Sequence, residues 1–368
     1  MANRIAYLPR GIILSSQLGE IVVDTTHDYV DVRLSGQGSV VLLEERYYAY
    51  GGIVRLLDFA RLIEEHMALS ANAYEVFNIR VSTDGADVAT ASIRILYCDR
   101  YTVCSDTARF LAENFLTTLS MRRVAPDTTI SLFFFAEQGE SVAYTIAHRF
   151  RTADSDAIFS HSYVADSGKT ASASGVVQLN ISMSAIVADA ASFVAVRQSE
   201  IEVLTFTVSI GQRSVTCHVD ASLADRDSFA FRNCFNVWDV ALLPCVTTAK
   251  TDVDRSLAVV NGTSSFYNQS VNKTYEVVAG PLTSDEADWV DQLFSAHTVM
   301  RFESGTLDEN SPLVFAEVLI SDCTCEISDS DEKPNTAKFT WRYADNRPIV
   351  RLSASPGIFT SPYNPVYS

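Results

Sequence analysis

The feature that most constrains this chain is the repeated alternation of polar and apolar residues at a period of two. Between Tyr29 and Leu34 the residues alternate in this way, and a strand would place all the apolar side chains of such a run on one face. Gly36-Gln37-Gly38 then provides a turn into a further apolar run, Val40–Leu43. Runs of strand character recur at Ile21–Val23, Val76–Val81, Ala91–Tyr97, Ile130–Phe135, Val142–Phe150, Glu202–Ile210, Ser214–Val219, Phe229–Phe235, Thr274–Val278, Val299–Phe302 and Leu313–Ile320. The pattern predicts a mainly β protein.

A few segments have helical periodicity instead. Apolar residues three and four positions apart predict helices at Ile53–Met67, Asp106–Leu119, Ala185–Val194 and Ser284–Ala296. The last of these is preceded by Thr283, which forms a T-x-x-E capping box with Glu286. We therefore expect β modules with a few inserted helices.

The domain organisation follows from length and from composition. With 368 residues, and roughly 100–200 residues in a typical domain, the chain is long enough for two or three cores. Ser, Ala, Asp and Gly predominate in 156–175, which we interpret as a loop or linker. The sequence thus predicts a β-rich N-terminal domain with two helices at 1–155 and a second β-rich part at 176–345. Both are expected to be sandwich-like antiparallel modules.

The last segment, 346–368, is rich in proline and is expected to be an extended arm. Proline fixes φ and lacks a backbone donor, so this segment cannot continue a helix or the interior of a sheet. A frayed tail is the alternative to an arm. Aromatic residues between the prolines favour an arm that docks on another surface, and the predicted interface residues are Pro348, Pro356, Phe359, Pro362, Tyr363, Pro365 and Tyr367.

Charge and hydropathy exclude several classes of protein. The formal net charge is −17, which argues against general nucleic-acid binding and against docking on anionic lipid, because both need clustered positive charge. No uncharged apolar run approaches the roughly 20 residues that span a bilayer, so no membrane insertion is expected. The seven cysteines, in a sequence with no visible secretion signal, predict folding in a reducing cytoplasm.

Each motif for catalysis or cofactor binding that the sequence partly matches is incomplete. Gly168-Lys169-Thr170 resembles the end of a phosphate-binding loop, but Tyr163 stands where that loop needs glycine. Gly36-Gln37-Gly38 lacks the third glycine of a dinucleotide fingerprint and is better interpreted as a hairpin turn. We expect no catalytic residues and no cofactor.

Candidate metal ligands are scattered in the sequence. None of the six histidines has a second histidine or a cysteine at ligand spacing. Cys323 and Cys325 lie on one face of a predicted strand without two further ligands, and Asp252 and Asp254 are expected in a loop. The sequence therefore predicts no metal site.

Residues 228–243 and 250–302 carry a resemblance to a known class of protein. A strand leads into Leu282-Thr283, Glu286-Ala287 and Leu293-Phe294, and another strand follows. This arrangement resembles structural virion proteins of tailed phages and prophages of gut Bacteroidetes, and it is similar to distal and minor tail proteins. The resemblance covers about a third of the chain. It implies an assembly protein, built into a ring or adaptor by symmetric copies, with no catalytic residues to transfer.

The function expected from the sequence is therefore that of a non-enzymatic structural protein of a phage particle. It would be a tail, tail-tip or connector component that forms a homo-oligomeric ring, made in the host bacterial cytoplasm and located in the virion. Its expected partners are copies of itself and other virion structural proteins. The alternative is a carbohydrate- or receptor-binding β-sandwich, which would need exposed aromatic platforms. Trp238, Trp289 and Trp341 are the candidates, but their apolar surroundings indicate core positions.

Overall fold

Antiparallel sheets with a few connecting helices make up this protein. The computed structural model describes residues 3–57, 59–100, 106–223, 227–302, 315–328 and 333–345. Within these ranges there are 22 strands and four α-helices, and the sheets pack in a sandwich-like manner. The predicted fold class, mainly β with a few inserted helices, is confirmed. The predicted C-terminal arm lies outside the described residues.

The first module, residues 3–100, packs two sheets and a helix around one core. Its elements are β1 (Arg4–Tyr7), β2 (Ile12–Leu14), β3 (Ile21–Asp24), β4 (Tyr29–Ser35), β5 (Val41–Tyr48), β6 (Ile53–Leu56), α1 (Phe59–Leu69), β7 (Tyr74–Thr83) and β8 (Ala86–Leu96). The sheets have the orders β1-β3-β6 and β2-β8-β7-β4-β5. Alternation along β4 buries Val30, Val32 and Leu34 completely, so the period-two pattern determines which face of the sheet joins the core.

The second module, residues 106–223, contains two helices and two sheets. Its elements are α2 (Thr107–Glu113), β9 (Met121–Val124), β10 (Thr129–Ala136), β11 (Tyr144–Thr152), β12 (Ser155–Ala165), β13 (Gly175–Ser182), α3 (Met183–Val194), β14 (Ile201–Ile210) and β15 (Arg213–Val219). Strands β10 and β13 pair with each other, and the larger sheet has the order β12-β11-β14-β15-β9. Phe134, Ile186 and Phe206 lie in the shared core.

The third module, residues 227–345, is one seven-stranded sheet with a helix packed on it. Its elements are β16 (Ser228–Arg232), β17 (Trp238–Leu242), β18 (Cys245–Val260), β19 (Thr263–Leu282), α4 (Ser284–Ser295), β20 (Val299–Phe302), β21 (Phe315–Glu326) and β22 (Asn335–Tyr343). The strand order is β17-β16-β20-β21-β22-β19-β18. The apolar side of α4 buries Trp289, Val290 and Leu293 against this sheet.

The three modules meet at a separate apolar cluster. Leu96 comes from the first module, Phe135 from the second, and Phe235 from the third, and all are buried in this cluster. Polar bonds reinforce the junction, since the side-chain amide of Asn233 in the third module donates to the carbonyl oxygen of Leu116 in the second (2.9 Å). Arg100 likewise contacts Asp291 of α4 at 3.1 Å.

Two of the predicted helices have different bounds from those expected. Residues Ile53–Leu56 form β6 rather than the start of a helix, because Val54 and Leu56 alternate into the core while β6 pairs with β3. Helix α2 is capped by Asp106 as predicted, but it ends at Glu113 because Asn114 turns extended and donates its side-chain amide to the carbonyl of Phe110 (3.1 Å). The helices α3 and α4 are confirmed.

The prediction of a loop at 156–175 was wrong for its first half. Residues Ser155–Ala165 are β12, which pairs with β11 in a hairpin. Its half-buried face holds Phe159, His161, Tyr163 and Ala165. The apolar residues Ile158 and Val164 on the exposed face conceal the alternation. Core residues from both sides of this segment belong to one cluster, so 156–175 lies within a module and does not separate two modules.

Candidate functional site

A long hairpin formed by β18 and β19 is the most exposed element of the third module. The two strands pair from Cys245 and Ala279 at the base to Val260 and Thr263 at the tip. Asn261 (φ 51°) and Gly262 (φ 78°) form the two-residue loop. Positive φ at both positions is the requirement of the type I′ turn, whose twist matches that of paired strands.

Residues 250–274 of this element project beyond the rest of the sheet, and we call them the projecting hairpin. Strand β19 pairs with β22 only from Tyr275 to Leu282, while β18 lies at the edge of the sheet. From Thr274 to the tip, the two strands therefore have only each other as sheet neighbours among the residues that the structure describes. At about 3.3 Å per residue the projection is roughly 35 Å long.

The projecting hairpin carries apolar side chains in solvent. Val253, Leu257 and Val259 lie on the same face of β18, and Phe266 is the cross-strand partner of Leu257. We call these four residues the apolar stripe; their exposed fractions are 42% for Val253, 57% for Leu257, 66% for Val259 and 59% for Phe266. Large exposed apolar surfaces on soluble proteins usually mark interaction sites.

Asp252 and Asp254 lie in β18 and not in the loop predicted from the sequence. They flank Val253, one on each side, and so belong to the opposite face of the strand. The guanidinium of Arg255 lies 5.1 Å from the centre of the Phe266 ring. The two faces of the hairpin are therefore chemically different, one apolar and one acidic.

Ion pairs hold the base of the projecting hairpin. The carboxylate of Glu276 on β19 bonds to Lys250 of β18 and to Lys338 of β22, the latter at 2.8 Å. Hydrogen bonds from Lys250 and Lys338 lower the pKa of Glu276 to about 2. The ring of Tyr275 stacks on Trp341 with centres 4.0 Å apart. These contacts fix the direction in which the hairpin leaves the sheet.

The interface residues predicted from the sequence lie outside the described residues. These are Pro348, Pro356, Phe359, Pro362, Tyr363, Pro365 and Tyr367. The structure therefore leaves that part of the interface prediction untested. It adds the projecting hairpin, at whose base lies the strand predicted at Thr274–Val278.

The weak motifs are structural in the described part of the chain. Gly168 and Lys169 lie in the turn between β12 and β13, where Lys169 pairs with Asp166. Cys323 is exposed on β21, while half-buried Cys325 donates to the carbonyl of Ala287 at 3.6 Å. Trp289 and Trp341 are buried, as expected.

A cluster of two histidines and an aspartate lies in the second module and was missed by sequence reasoning. His148 of β11 and His161 of β12 are direct cross-strand partners, and Asp189 of α3 lies beside both. Asp189 Oδ2 is 2.8 Å from His161 Nδ1 and 3.5 Å from His148 Nε2. The register of the β11–β12 hairpin brings the two rings together, so recognition of β12 would have revealed the pair.

Aromatic side chains surround this cluster. The ring of Phe193 stacks on His161 with centres 4.3 Å apart, and Phe150 and Tyr163 flank His148 at 5.5 Å and 6.1 Å. Burial lowers the pKa of His148 despite the neighbouring charge of Asp189. Burial, followed by the charge of Asp189, raises the pKa of Tyr163 to about 12. The aromatic surroundings therefore disfavour the charged form of His148.

Comparison with known proteins gives no family. No family model matches the sequence, and no curated protein matches it. Among solved structures, the chain is similar to a Salmonella alpha-2-macroglobulin reacted with methylamine (10% identity, TM-score 0.22, covering 75% of this chain and 22% of that chain). The native alpha-2-macroglobulin of E. coli gives 10% identity and a TM-score of 0.21, covering 87% of this chain and 24% of that chain.

A third similar structure is the calcium binding domain CBD12 of CALX1.1, with 14% identity and a TM-score of 0.17 over 55% of this chain and 75% of that chain. The present chain spans less than a quarter of the length of the Salmonella macroglobulin. TM-scores at this level carry no argument about function. Among the helices of the described ranges, none combines the length and the apolar character needed to cross a membrane.

Proposed function

We propose that this chain is a non-enzymatic structural protein of a phage particle, a tail, tail-tip or connector component that forms a symmetric ring. In this proposal the projecting hairpin of each copy lies against the next copy. The partners are copies of the chain and other virion structural proteins. The observation that carries the proposal is the apolar stripe on a hairpin whose two strands, among the described residues, pair only with each other.

An isolated two-stranded ribbon is at best marginally stable in water. The projecting hairpin has this arrangement over residues 250–274, and the side chains of the apolar stripe remain 42% to 66% exposed among the described residues. Burying a large apolar side chain contributes about 1.5–3 kcal/mol. A partner that covers the stripe would therefore stabilise both the hairpin and the contact.

A further copy of the chain is the proposed partner for two reasons. The resemblance of residues 228–302 to tail proteins implies rings of identical subunits. The free edge of β18 also offers unpaired backbone groups, to which an extended segment of another subunit can add as a strand. When each copy places its hairpin on a different surface of the next copy, the contact is head-to-tail, and such contacts form a ring when the rotation between copies closes.

The first test shortens the hairpin without disturbing the sheet. Thr251 and Lys273 are cross-strand partners, so Asp252–Asn272 can be replaced by Asn-Gly to give a short hairpin with the same turn type. We expect the full chain to form defined oligomers in mass photometry and negative-stain images. The shortened variant should remain monomeric with an unchanged thermal midpoint.

A second test removes only the apolar side chains. Leu257→Ser with Phe266→Ser should weaken the oligomer by at least roughly tenfold in dissociation constant, since a 1.4 kcal/mol loss is tenfold. The matched control is Leu69→Ser with Tyr50→Ser, which removes one aliphatic and one aromatic side chain that are 90% and 93% exposed elsewhere. The control variant should assemble like the full chain.

Two outcomes would contradict the proposal. One is an oligomer that persists equally in the shortened, stripe and control variants, because the hairpin would then play no part. The other is a chain that stays monomeric at high concentration and binds a glycan in an array, which would favour the carbohydrate-binding alternative.

A further inference from the structure

We propose that His148, His161 and Asp189 form a binding site for one divalent transition metal ion, with two imidazoles and one carboxylate as ligands. The three residues lie on β11, β12 and α3, so regular elements hold each side chain. Their candidate ligand atoms all lie within 4.8 Å of one another. This site is distinct from the projecting hairpin and does not depend on the proposed assembly.

The first argument is the burial of His148. This residue is only 1% exposed, and neither ring nitrogen has a hydrogen-bond partner among the described residues. A buried polar group without a partner loses its hydration without compensation and is rare in native proteins. The neighbouring core position Phe150 shows that a phenyl ring fits this face of β11. A metal bond to His148 would explain why an imidazole stands where an apolar ring would suffice.

The two distances from the Asp189 carboxylate to the imidazoles fit a metal with one small adjustment. Zn²⁺ holds nitrogen and oxygen ligands at about 2.0–2.2 Å, which places two ligands roughly 3.3–3.5 Å apart at a tetrahedral angle. His148 Nε2 and Asp189 Oδ2 are already 3.5 Å apart. His161 Nδ1 is 2.8 Å from the same oxygen, a hydrogen-bond distance. A metal ion would replace the shared proton and separate this pair by roughly 0.5 Å.

The donor set selects the class of ion. Two imidazoles and one carboxylate suit Zn²⁺ and its first-row neighbours, whereas Mg²⁺ and Ca²⁺ prefer oxygen ligands throughout. The side chains of His161 and Asp189 are 30% and 25% exposed, so the site opens to solvent on one side. The ion would therefore keep a fourth position for water, in the manner of three-ligand zinc sites.

Zinc binding to the full chain provides the test. The protein is prepared with Cys323→Ser and Cys325→Ser, because these accessible thiols would bind zinc on their own, and it is stripped with a chelator. We expect isothermal titration to give one zinc ion per chain. Cobalt substitution should give visible absorption bands of low-coordinate nitrogen and oxygen ligation, without thiolate charge-transfer absorption.

Variants at the site separate binding from folding. His161→Gln and Asp189→Asn should each weaken zinc binding by at least roughly 100-fold, since loss of a ligand exceeds the effect of losing an outer-shell partner. The matched control is His218→Gln, an exposed histidine of β15, which should bind zinc like the parent. His148→Phe should lose zinc binding and keep or raise the thermal midpoint measured in chelator.

Equal zinc affinity in the His161→Gln and His218→Gln proteins would overturn the proposal, and so would the absence of saturable binding at micromolar zinc. A His148→Phe protein that is folded and still binds zinc with the parent affinity would also overturn it. Circular dichroism in chelator establishes that each variant is folded.

Discussion

At the scale of single residues, Asp239 joins the second and third modules through buried bonds. Its carboxylate is 2.8 Å from Arg122 of β9 and accepts from the indole nitrogen of Trp289 at 3.0 Å. Both Arg122 and Asp239 are almost completely buried, at 8% and 2% exposure. Water and salt screen the two charges of this buried pair far less than those of a surface pair. Each charge therefore depends on the other for its stabilisation.

Replacing Asp239 by Asn should therefore be strongly destabilising. The variant leaves the guanidinium of Arg122 buried without its counter-charge, and breaking a buried pair costs about 3–5 kcal/mol. Chemical denaturation should show this loss in the free energy of unfolding. The control is Asp291→Asn, which removes the exposed pair with Arg100 (side chains 55% and 42% exposed) and should cost less than about 1 kcal/mol. Equal losses in the two variants would contradict this role for Asp239.

Glu64 is a residue whose ionisation opposes folding. Burial on α1 raises the pKa of Glu64 above its ordinary value of 4.5, the hydrogen bond with Ser15 lowers it, and the charge of Asp99 raises it. The folded state therefore holds this proton to higher pH than the unfolded state does. The stability that protonated Glu64 contributes is complete below the pKa that Glu64 has in the unfolded chain. It is lost as the pH rises through the higher pKa that Glu64 has in the folded protein.

It follows that Glu64→Gln should raise the free energy of unfolding at pH 7 and have a smaller effect at pH 4, where Glu64 is already largely protonated. The measurement is denaturant unfolding of both proteins at the two pH values. Glu44→Gln, at an exposed position of β5, is the control and should change stability by less than about 0.5 kcal/mol at either pH. A Glu64→Gln protein less stable than the parent at pH 7 would refute the expectation.

At the scale of elements, most strands and the best helix follow from local sequence. Alternation predicted β4, β7 and β14, because one face of each must enter a core. The capping box predicted the start of α4, where the Thr283 hydroxyl accepts from the backbone of Glu286 (3.2 Å) and the Glu286 carboxylate accepts from the backbone of Thr283 (2.8 Å). These signals succeed because each depends on residues within one turn or one strand.

The projecting hairpin was largely missed because neither of its faces enters a core in the described part of the chain. Solvent on both sides removes the need for alternation, so residues 250–273 carry no period-two signal apart from the apolar stripe. The one local signal was Asn261-Gly262, the dipeptide preferred by two-residue hairpin loops. This dipeptide predicts the turn, but it does not predict the length of the two strands that the turn joins.

The histidine and aspartate cluster was missed for a different reason. His161 and Asp189 are 28 residues apart, and only the pairing of β11 with β12 and the packing of α3 bring them together. Sequence spacing reports ligands within one element or one short loop. Sites built from three separate elements depend on tertiary structure and are invisible to such spacing.

At the scale of the whole molecule, two segments are proposed to contact other subunits. The projecting hairpin leaves one end of the seven-stranded sheet, and residues 346–368 follow its β22. The described pairing of β22 is complete at Tyr343, which pairs with Val318. Strand pairing in the described residues therefore does not require the last 23 positions, which begin at Asn346 and end at Ser368.

Removing residues 346–368 should weaken assembly and leave folded stability almost unchanged, within about 0.5 kcal/mol. The measurements are mass photometry for assembly and denaturant unfolding for stability, made beside the variant in which Asp252–Asn272 is replaced by Asn-Gly. If both segments contact neighbouring subunits at separate sites, the losses of assembly free energy caused by the truncation and by the hairpin replacement should add in the combined variant. Unchanged assembly after the truncation would refute the proposal that residues 346–368 contact a neighbouring subunit, and the hairpin alone would remain as the proposed contact. Global unfolding would show instead that 346–368 belongs to a core.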